Sequence, residues 1–274
     1  MNFKLLVKPL GILLLGLTAF LLPPATPGYE IFIYRRYEQK HPFFPDKKLF
    51  VHGELFGQLQ APSTFLSYND LTGGEDRWNF GFRNTVFLTA GTVLNAQLVT
   101  HDDGDKRTKF DWHFSLHQDI LKKFILIIGH DSDHDSDHTS YLHGRPYYTN
   151  RNYIGFAVPF GGKNFVVEPF TRFFHHTNQR SFLDLSGSKL KQEYGMRIGA
   201  ILGDYVTLSA QVMAQSDTLF YKGQAWLADM IFRFHLADWF ELAAGASIWK
   251  DMEISPLGNK QSYYKFIWGI AIPF

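Results

Sequence analysis

SYYKFIWGIAIPF, residues 262–274, is the stretch that decides the fold. Ser262, Tyr264, Phe266, Trp268, Ile270, Ile272 and Phe274 share one face of an extended chain. Tyr263, Lys265, Ile267, Gly269, Ala271 and Pro273 share the other. Successive side chains of a strand point to opposite faces, so a two-residue period sustained over this length is a strand signal. One face is almost wholly aromatic and aliphatic. The other mixes a lysine with small residues, which is how a sheet looks when its two sides meet different surroundings.

The same alternation recurs upstream. Leu49, Val51, Leu55 and Leu59 oppose His52, Glu54, Gln58 and Gln60. Trp78, Phe80, Phe82, Val86 and Leu88 oppose Asn79, Arg83 and Thr85, and Leu94, Ala96 and Leu98 oppose Asn95 and Gln97. Phe110, Trp112, Phe114 and Leu116 oppose Asp111, His113, Ser115 and His117. Further strands are predicted over 123–132, 148–160, 164–175, 192–200, 205–214, 222–233 and 239–249. That makes about twelve, within a range of roughly ten to fourteen. Tight turns at Ala90-Gly91, Gly161-Gly162, Gly203-Asp204 and Ala237-Asp238 alternate with longer polar links. The closing aromatic resembles the C-terminal signature of bacterial outer-membrane barrels, whose last strand ends in Phe.

Alternation alone does not say which row meets lipid. Turned inward, the Phe and Leu rows would line a cylinder too wide for side chains to fill. Glu54, Arg83, Asn95, Gln97, Asp111, His113, Glu193, Arg197, Gln211 and Glu241 suit a wet or ion-paired lumen instead. The expected fold is therefore all-β: an antiparallel transmembrane β-barrel in the bacterial outer membrane, both termini periplasmic, long loops outward.

Composition agrees. The chain has 274 residues, 27 Phe, 13 Tyr and 6 Trp, and no cysteine, which removes thiol catalysis, disulfides and Cys-ligated zinc. Lys plus Arg is 27 against 26 Asp plus Glu, so no global charge points to nucleic acid. Mean hydropathy is −0.15, too low for a helical membrane protein but suited to a barrel with a polar lumen. Lys4 and Lys8 precede an apolar run over 10–22 that Pro23, Pro24 and Pro27 end. Residues 1–28 are read as a secretory signal peptide. Residues 29–47 are read as a periplasmic lead-in, with a short strand over 29–34, and 48–274 as the barrel.

One segment carries candidate chemistry. The predicted fifth strand ends in His130-Asp131-Ser132-Asp133-His134, with His130 and Ser132 on its lipid-facing row at the outer end. The sixth strand descends from that end with Asn150 and Asn152 on its even face. A serine hydroxyl is a poor nucleophile until an imidazole takes its proton, and the imidazole needs a partner on its other nitrogen. A polar trio at the edge of lipid is costly without a function.

His130-Asp131-Ser132 resembles the His-x-Ser motif of outer-membrane phospholipase A, a twelve-stranded barrel with an Asn on the neighbouring strand. The resemblance implies Ser132 as nucleophile, His130 as base and Asn152 as the residue orienting it, with Asn150 as alternative third member. It also implies calcium near the oxyanion, with Asp131, Asp133 and His134 as candidate oxyanion or metal residues, and a homodimer acting on outer-leaflet lipids. Asp133 and His134 follow the serine here, where that family has Asn-Gly. The lipid A 3-O-deacylases also carry a His-x-Ser pair, with an acidic third member. The segment is similar, too, to a His-x-Ser-Ser-His-x-x-Asp stretch in Gram-negative envelope proteins of no settled activity.

Other readings stand beside this one. Asp131, Asp133, Asp135 and Asp137 with His130, His134 and His138 suit a solvated loop tip. Carboxylates suit calcium, and three histidines four apart suit zinc on a helix better than on a strand. His175, His176, Thr177 and Asn178, beside the sixth strand, could join the site but read more readily as a solvated strand end, and His113 and His117 read as structural lumen residues. The expected function is a serine-dependent phospholipase or lipid A deacylase. The alternative is a non-enzymatic outer-membrane barrel, either a pore or a structural envelope protein.

Overall fold

The computed structural model describes residues 28–34, 50–62, 77–101, 109–120, 123–134, 148–180, 191–216, 219, 225–251 and 262–273. A one-turn helix α1 (Tyr29–Ile33) precedes strands β1 (Phe50–Pro62), β2 (Arg77–Thr89), β3 (Thr92–His101), β4 (Lys109–Ile120), β5 (Phe124–His134) and β6 (Tyr148–Ala157). The two-residue β7 (Phe160–Gly161) leads into β8 (Phe165–Arg180). Then follow β9 (Gln192–Leu202), β10 (Val206–Ser216), β11 (Ala225–Ala237), β12 (Phe240–Asp251) and β13 (Ser262–Pro273).

Every ladder is antiparallel, and sequence neighbours are hydrogen-bonded neighbours. β13 pairs with β1, and β6 pairs with β8 past the short β7, which closes twelve strands into a barrel. Closure removes the unpaired N–H and C=O groups that lipid would penalise by several kcal/mol each. β6 stops at Ala157 because Pro159 has no N–H to give a ladder. Gly203 closes one tight turn with φ of 68°, a left-handed conformation that a side chain would strain.

The apolar rows face outward. Phe266, Trp268, Ile270 and Ile272 of β13 are exposed, whereas Ile267 and Ala271 between them are buried. Phe110, Trp112 and Phe114 of β4 and Ile154 and Phe156 of β6 continue this belt. The chain is thus an outer-membrane β-barrel with an ion-paired lumen. Glu54 of β1 reaches Arg83 of β2 at 3.4 Å and Arg233 of β11 at 3.1 Å. The second of these bonds crosses the lumen rather than following a ladder, since β13 and β12 lie between the strands. Arg172 meets Glu193 at 2.7 Å, and Arg197 meets Glu168. Ile125 and Ile127 of β5, Phe170 of β8 and Met213 of β10 fill the space between with one apolar cluster.

The start of the chain differs from expectation. Residues 29–33 are helical, not a short strand, and they stand inside the barrel at its short-turn end rather than leading up to it. Phe32, Ile33 and Tyr34 pack on Phe50, Phe87, Val93 and Val166, which sit near the turn ends of their strands. Arg197 donates to Glu30 at 3.1 Å, the Tyr29 N–H donates to Glu168 at 2.8 Å, and the Tyr34 hydroxyl bonds Thr85 at 3.2 Å. A five-residue helix has no stability of its own. Burial of its aromatic face and these bonds hold it. Residues 1–27 and 35–49, which hold all but Gly28 of the expected signal peptide, the rest of the lead-in and the first two expected barrel residues, and the terminal Phe274 lie outside the described residues.

Candidate functional site

β5 and β6 pair so that His130 stands opposite Asn152 and Ser132 opposite Asn150. On the other side, β4 sets Phe114 opposite His130 and Trp112 opposite Ser132. The period of two then decides direction. Ile128, exposed, shares the outward row with His130 and Ser132, while Ile125, Ile127 and Asp131 are buried inside. Gly129, on the inward row, lies beneath the Tyr153 ring, which a Cβ would strike at 2.1 Å. That close approach lets Tyr153 lie flat against β5, and its hydroxyl reaches the Phe114 carbonyl at 3.5 Å.

His130 Nδ1 and Asn152 Oδ1 are 2.8 Å apart. With Oδ1 toward the ring, Asn152 can only accept, and this amide orientation puts the proton on Nδ1 and the lone pair on Nε2. This is the tautomer a general base needs. Ser132 lies two residues along the same row, about 6.6–6.8 Å away at Cα. No hydrogen bond joins it to His130 among the described residues. Serine–histidine contacts are often loose before substrate binds. Asn152 is thus the amide that bonds His130. Asn150, the expected alternative, faces the serine instead.

The candidate oxyanion and metal residues do not gather here. Asp131 points into the lumen, where it accepts from His113 at 3.1 Å and Arg151 at 3.3 Å. It is one residue out of phase with Ser132, and a strand sends such neighbours to opposite faces. Asp133 and His134 end β5, and their side chains, like residues 135–138, lie outside the described residues. The resemblance implied calcium, which favours several oxygen ligands including carboxylates. Around Ser132 the described outward residues include no carboxylate, and the amide oxygens of Asn150 and Asn152 are the groups there of a kind that calcium takes. No group of three His, Asp or Glu able to hold a metal occurs among the described residues.

Two further features extend this picture. β8 runs on to Arg180, past the predicted end at 175, and sets His175 directly opposite Asn152 on the exposed face. Strand alternation from Phe173 was the available signal. In the lumen, Thr207 Oγ1 lies 2.7 Å from His235 Nε2, the His235 Nδ1 meets Glu241, and Glu241 meets His52 at 3.0 Å. The prediction ended that strand at Arg233, two residues short of His235. This hydroxyl–imidazole–carboxylate chain copies the connectivity of a hydrolase triad, yet Thr207 is 1% exposed and Glu241 0%. No substrate reaches it. A lumen cavity of about 200 Å³, lined by Glu30, Ser115, His117, Arg172, Arg197 and Gln211 among others, has room for a handful of waters.

No family model and no curated protein matches this chain. Solved structures do. A NanC porin superposes with a TM-score of 0.53 at 10% identity, over 80% of this chain and 98% of that one. Outer membrane phospholipase A from Escherichia coli gives 0.46 at 14% identity, over 81% and 92%. The COG4313 outer membrane channel from Pseudomonas putida F1 gives 0.46 at 10%, over 84% and 99%. At such identities the likeness is one of fold, and it is to bacterial outer-membrane barrels.

Proposed function

We propose that this barrel is an outer-membrane hydrolase of lipid acyl esters, working on the outer leaflet through His130, Ser132 and Asn152. One observation carries the reading: the 2.8 Å bond from His130 Nδ1 to Asn152 Oδ1 on a lipid-facing row that also holds Ser132. Ser132 Oγ attacks the ester carbonyl as His130 Nε2 takes its proton. The C–O bond to the alcohol then breaks, and His130 returns the proton to the departing oxygen. Water, deprotonated by the same imidazole, releases the fatty acid from Ser132. Asn152 keeps the imidazolium oriented between these steps. Asn150, opposite the nucleophile, supplies an amide N–H to the oxyanion. No step runs through calcium.

The lumen favours this reading over a pore. Helix α1 occupies its turn end, the Glu54–Arg233 bond reaches past two strands, and the His52–Glu241 bond reaches past one. A conduit has no use for charges that neutralise each other across its bore. Aromatic Trp112 and Phe114, with ring centroids 6.4 Å apart, offer acyl chains an apolar wall beside the serine.

The test is fatty-acid release from long-chain phosphatidylcholine in mixed micelles by the purified, refolded protein, with parallel conductance in planar bilayers. Release that Ser132→Ala abolishes supports the hydrolase. Equal turnover by Ser132→Ala, or steady ion conductance without ester release, overturns it.

A further inference from the structure

The pair His130 and Asn152 is the start of a row that continues onto a third strand. His175 of β8 stands opposite Asn152 as Asn152 stands opposite His130. Asn152 and His175 are both exposed on the outward face. Directly opposed residues in an antiparallel ladder hold their Cβ atoms about 4.5–5.5 Å apart, within reach of an amide and an imidazole. The register is interrupted one pair beyond this one. Arg151 opposes His176 and Asn150 opposes Asn178, so Thr177 is an extra residue in β8. Bulges of this kind commonly flank sites, where they re-aim side chains.

The row solves a chemical problem that the pair leaves open. An amide is nearly symmetric in shape and opposite in chemistry at its two ends. With its carbonyl toward His130, Asn152 keeps the proton on Nδ1 and leaves Nε2 free as a base. With its NH₂ group toward His130, Asn152 puts the proton on Nε2, and the base is gone. The two residues alone form one hydrogen bond in either arrangement. A third group that accepts from Asn152 Nδ2 breaks the tie. Among the described residues Nδ2 has no such partner bonded, and His175 is the acceptor set opposite it.

We propose that His175 is a positioning residue: its neutral imidazole accepts from Asn152 Nδ2 and so holds the carbonyl end of that amide against His130. This rests on the hydrolase reading above for its kinetic consequences, though not for its geometry. The donors then run one way, from Ser132 to His130 to Asn152 to His175. The preference is strongest once His130 has become an imidazolium, because both its nitrogens must then donate.

Three substitutions in the full-length protein separate acceptor, apolar and donor at this position. Refolding of each is checked by heat-modifiable migration. With phosphatidylcholine in mixed micelles, His175→Gln, which retains an acceptor, is expected to stay within about threefold of the parent in kcat. His175→Phe is expected to lose about tenfold in kcat with KM unchanged, and His175→Lys, a donor only, to lose more. None of the three is expected to matter in an Asn152→Ala background. Nitrogen-15 NMR of the imidazoles in micelles gives a second reading. The fraction of His130 protonated at Nδ1 falls in the Phe and Lys variants.

Parent-like kcat and tautomer in His175→Phe would overturn the proposal, as would an undiminished loss in the Asn152→Ala background. A parent protein without ester release would sink the hydrolase reading alone. The tautomer shift in the His175 variants would then still decide this one, its presence supporting the positioning role and its absence ending it.

Discussion

Two histidine relays in this barrel differ in little but their surroundings. On the outer wall, His130 bonds Asn152 beside Ser132, at the level of the Trp112 ring. In the lumen, His235 bonds Thr207 and Glu241, and Glu241 bonds His52. By connectivity the buried relay is the better triad, complete from hydroxyl to carboxylate. Its hydroxyl is sealed among other side chains, so its bonds satisfy buried polar groups and tie β1, β10, β11 and β12 together. The outer relay is less complete and open to lipid. Access, more than hydrogen-bond geometry, is what distinguishes the proposed site from the strut.

That contrast can be broken at several points. The largest effect is expected from Ser132→Ala: ester release falls by about three orders of magnitude or more, while heat-modifiable migration and the unfolding midpoint stay at the parent values. Substituting the lumen should do the reverse. Glu241→Ala removes the buried carboxylate that His52 and His235 both bond and is expected to cost about 3–5 kcal/mol, read as a lower urea midpoint for refolding into lipid vesicles. Turnover per folded molecule should be unchanged. If Glu241→Ala instead lowered turnover at constant stability, the two relays would have exchanged roles.

Asn152→Ala is expected to lose about a hundredfold in kcat, because the imidazole keeps its place but not its orientation. Asn150→Ala, assayed beside it, would sharpen the assignment: a similar loss with the His130 tautomer intact marks Asn150 as acting at the serine. The smallest effect is expected from Thr207→Val, which removes one buried hydrogen bond at similar volume. It should cost about 1 kcal/mol of stability and leave ester release alone.

Much of this was legible along the chain, because a strand writes its two surroundings into alternate residues. The outward belt of Phe266, Trp268, Ile270 and Ile272 could be read directly, as could the lumen residues Glu54, Arg83, Arg197 and Glu241. The facing of His130 with Asn152 followed from the same alternation plus an up-and-down order. Helix α1 could not be read so. Tyr29–Ile33 is too short for a helical period to show, and it is held by strands far away in sequence. For His175 the sequence leaves a solvated end and a place in the site both open, since nothing local says how far β8 runs or that Thr177 shifts its register.

The sequence by itself determined that this chain is an outer-membrane barrel and which side of each strand meets lipid, because a period of two is a property of neighbours in the chain. Tertiary structure alone decided which polar residues meet. It sent Asp131 to Arg151 and His113, set His175 opposite Asn152 and drew α1 into the mouth. Those outcomes depend on the register between strands and on barrel closure, which arise only when the whole sheet forms.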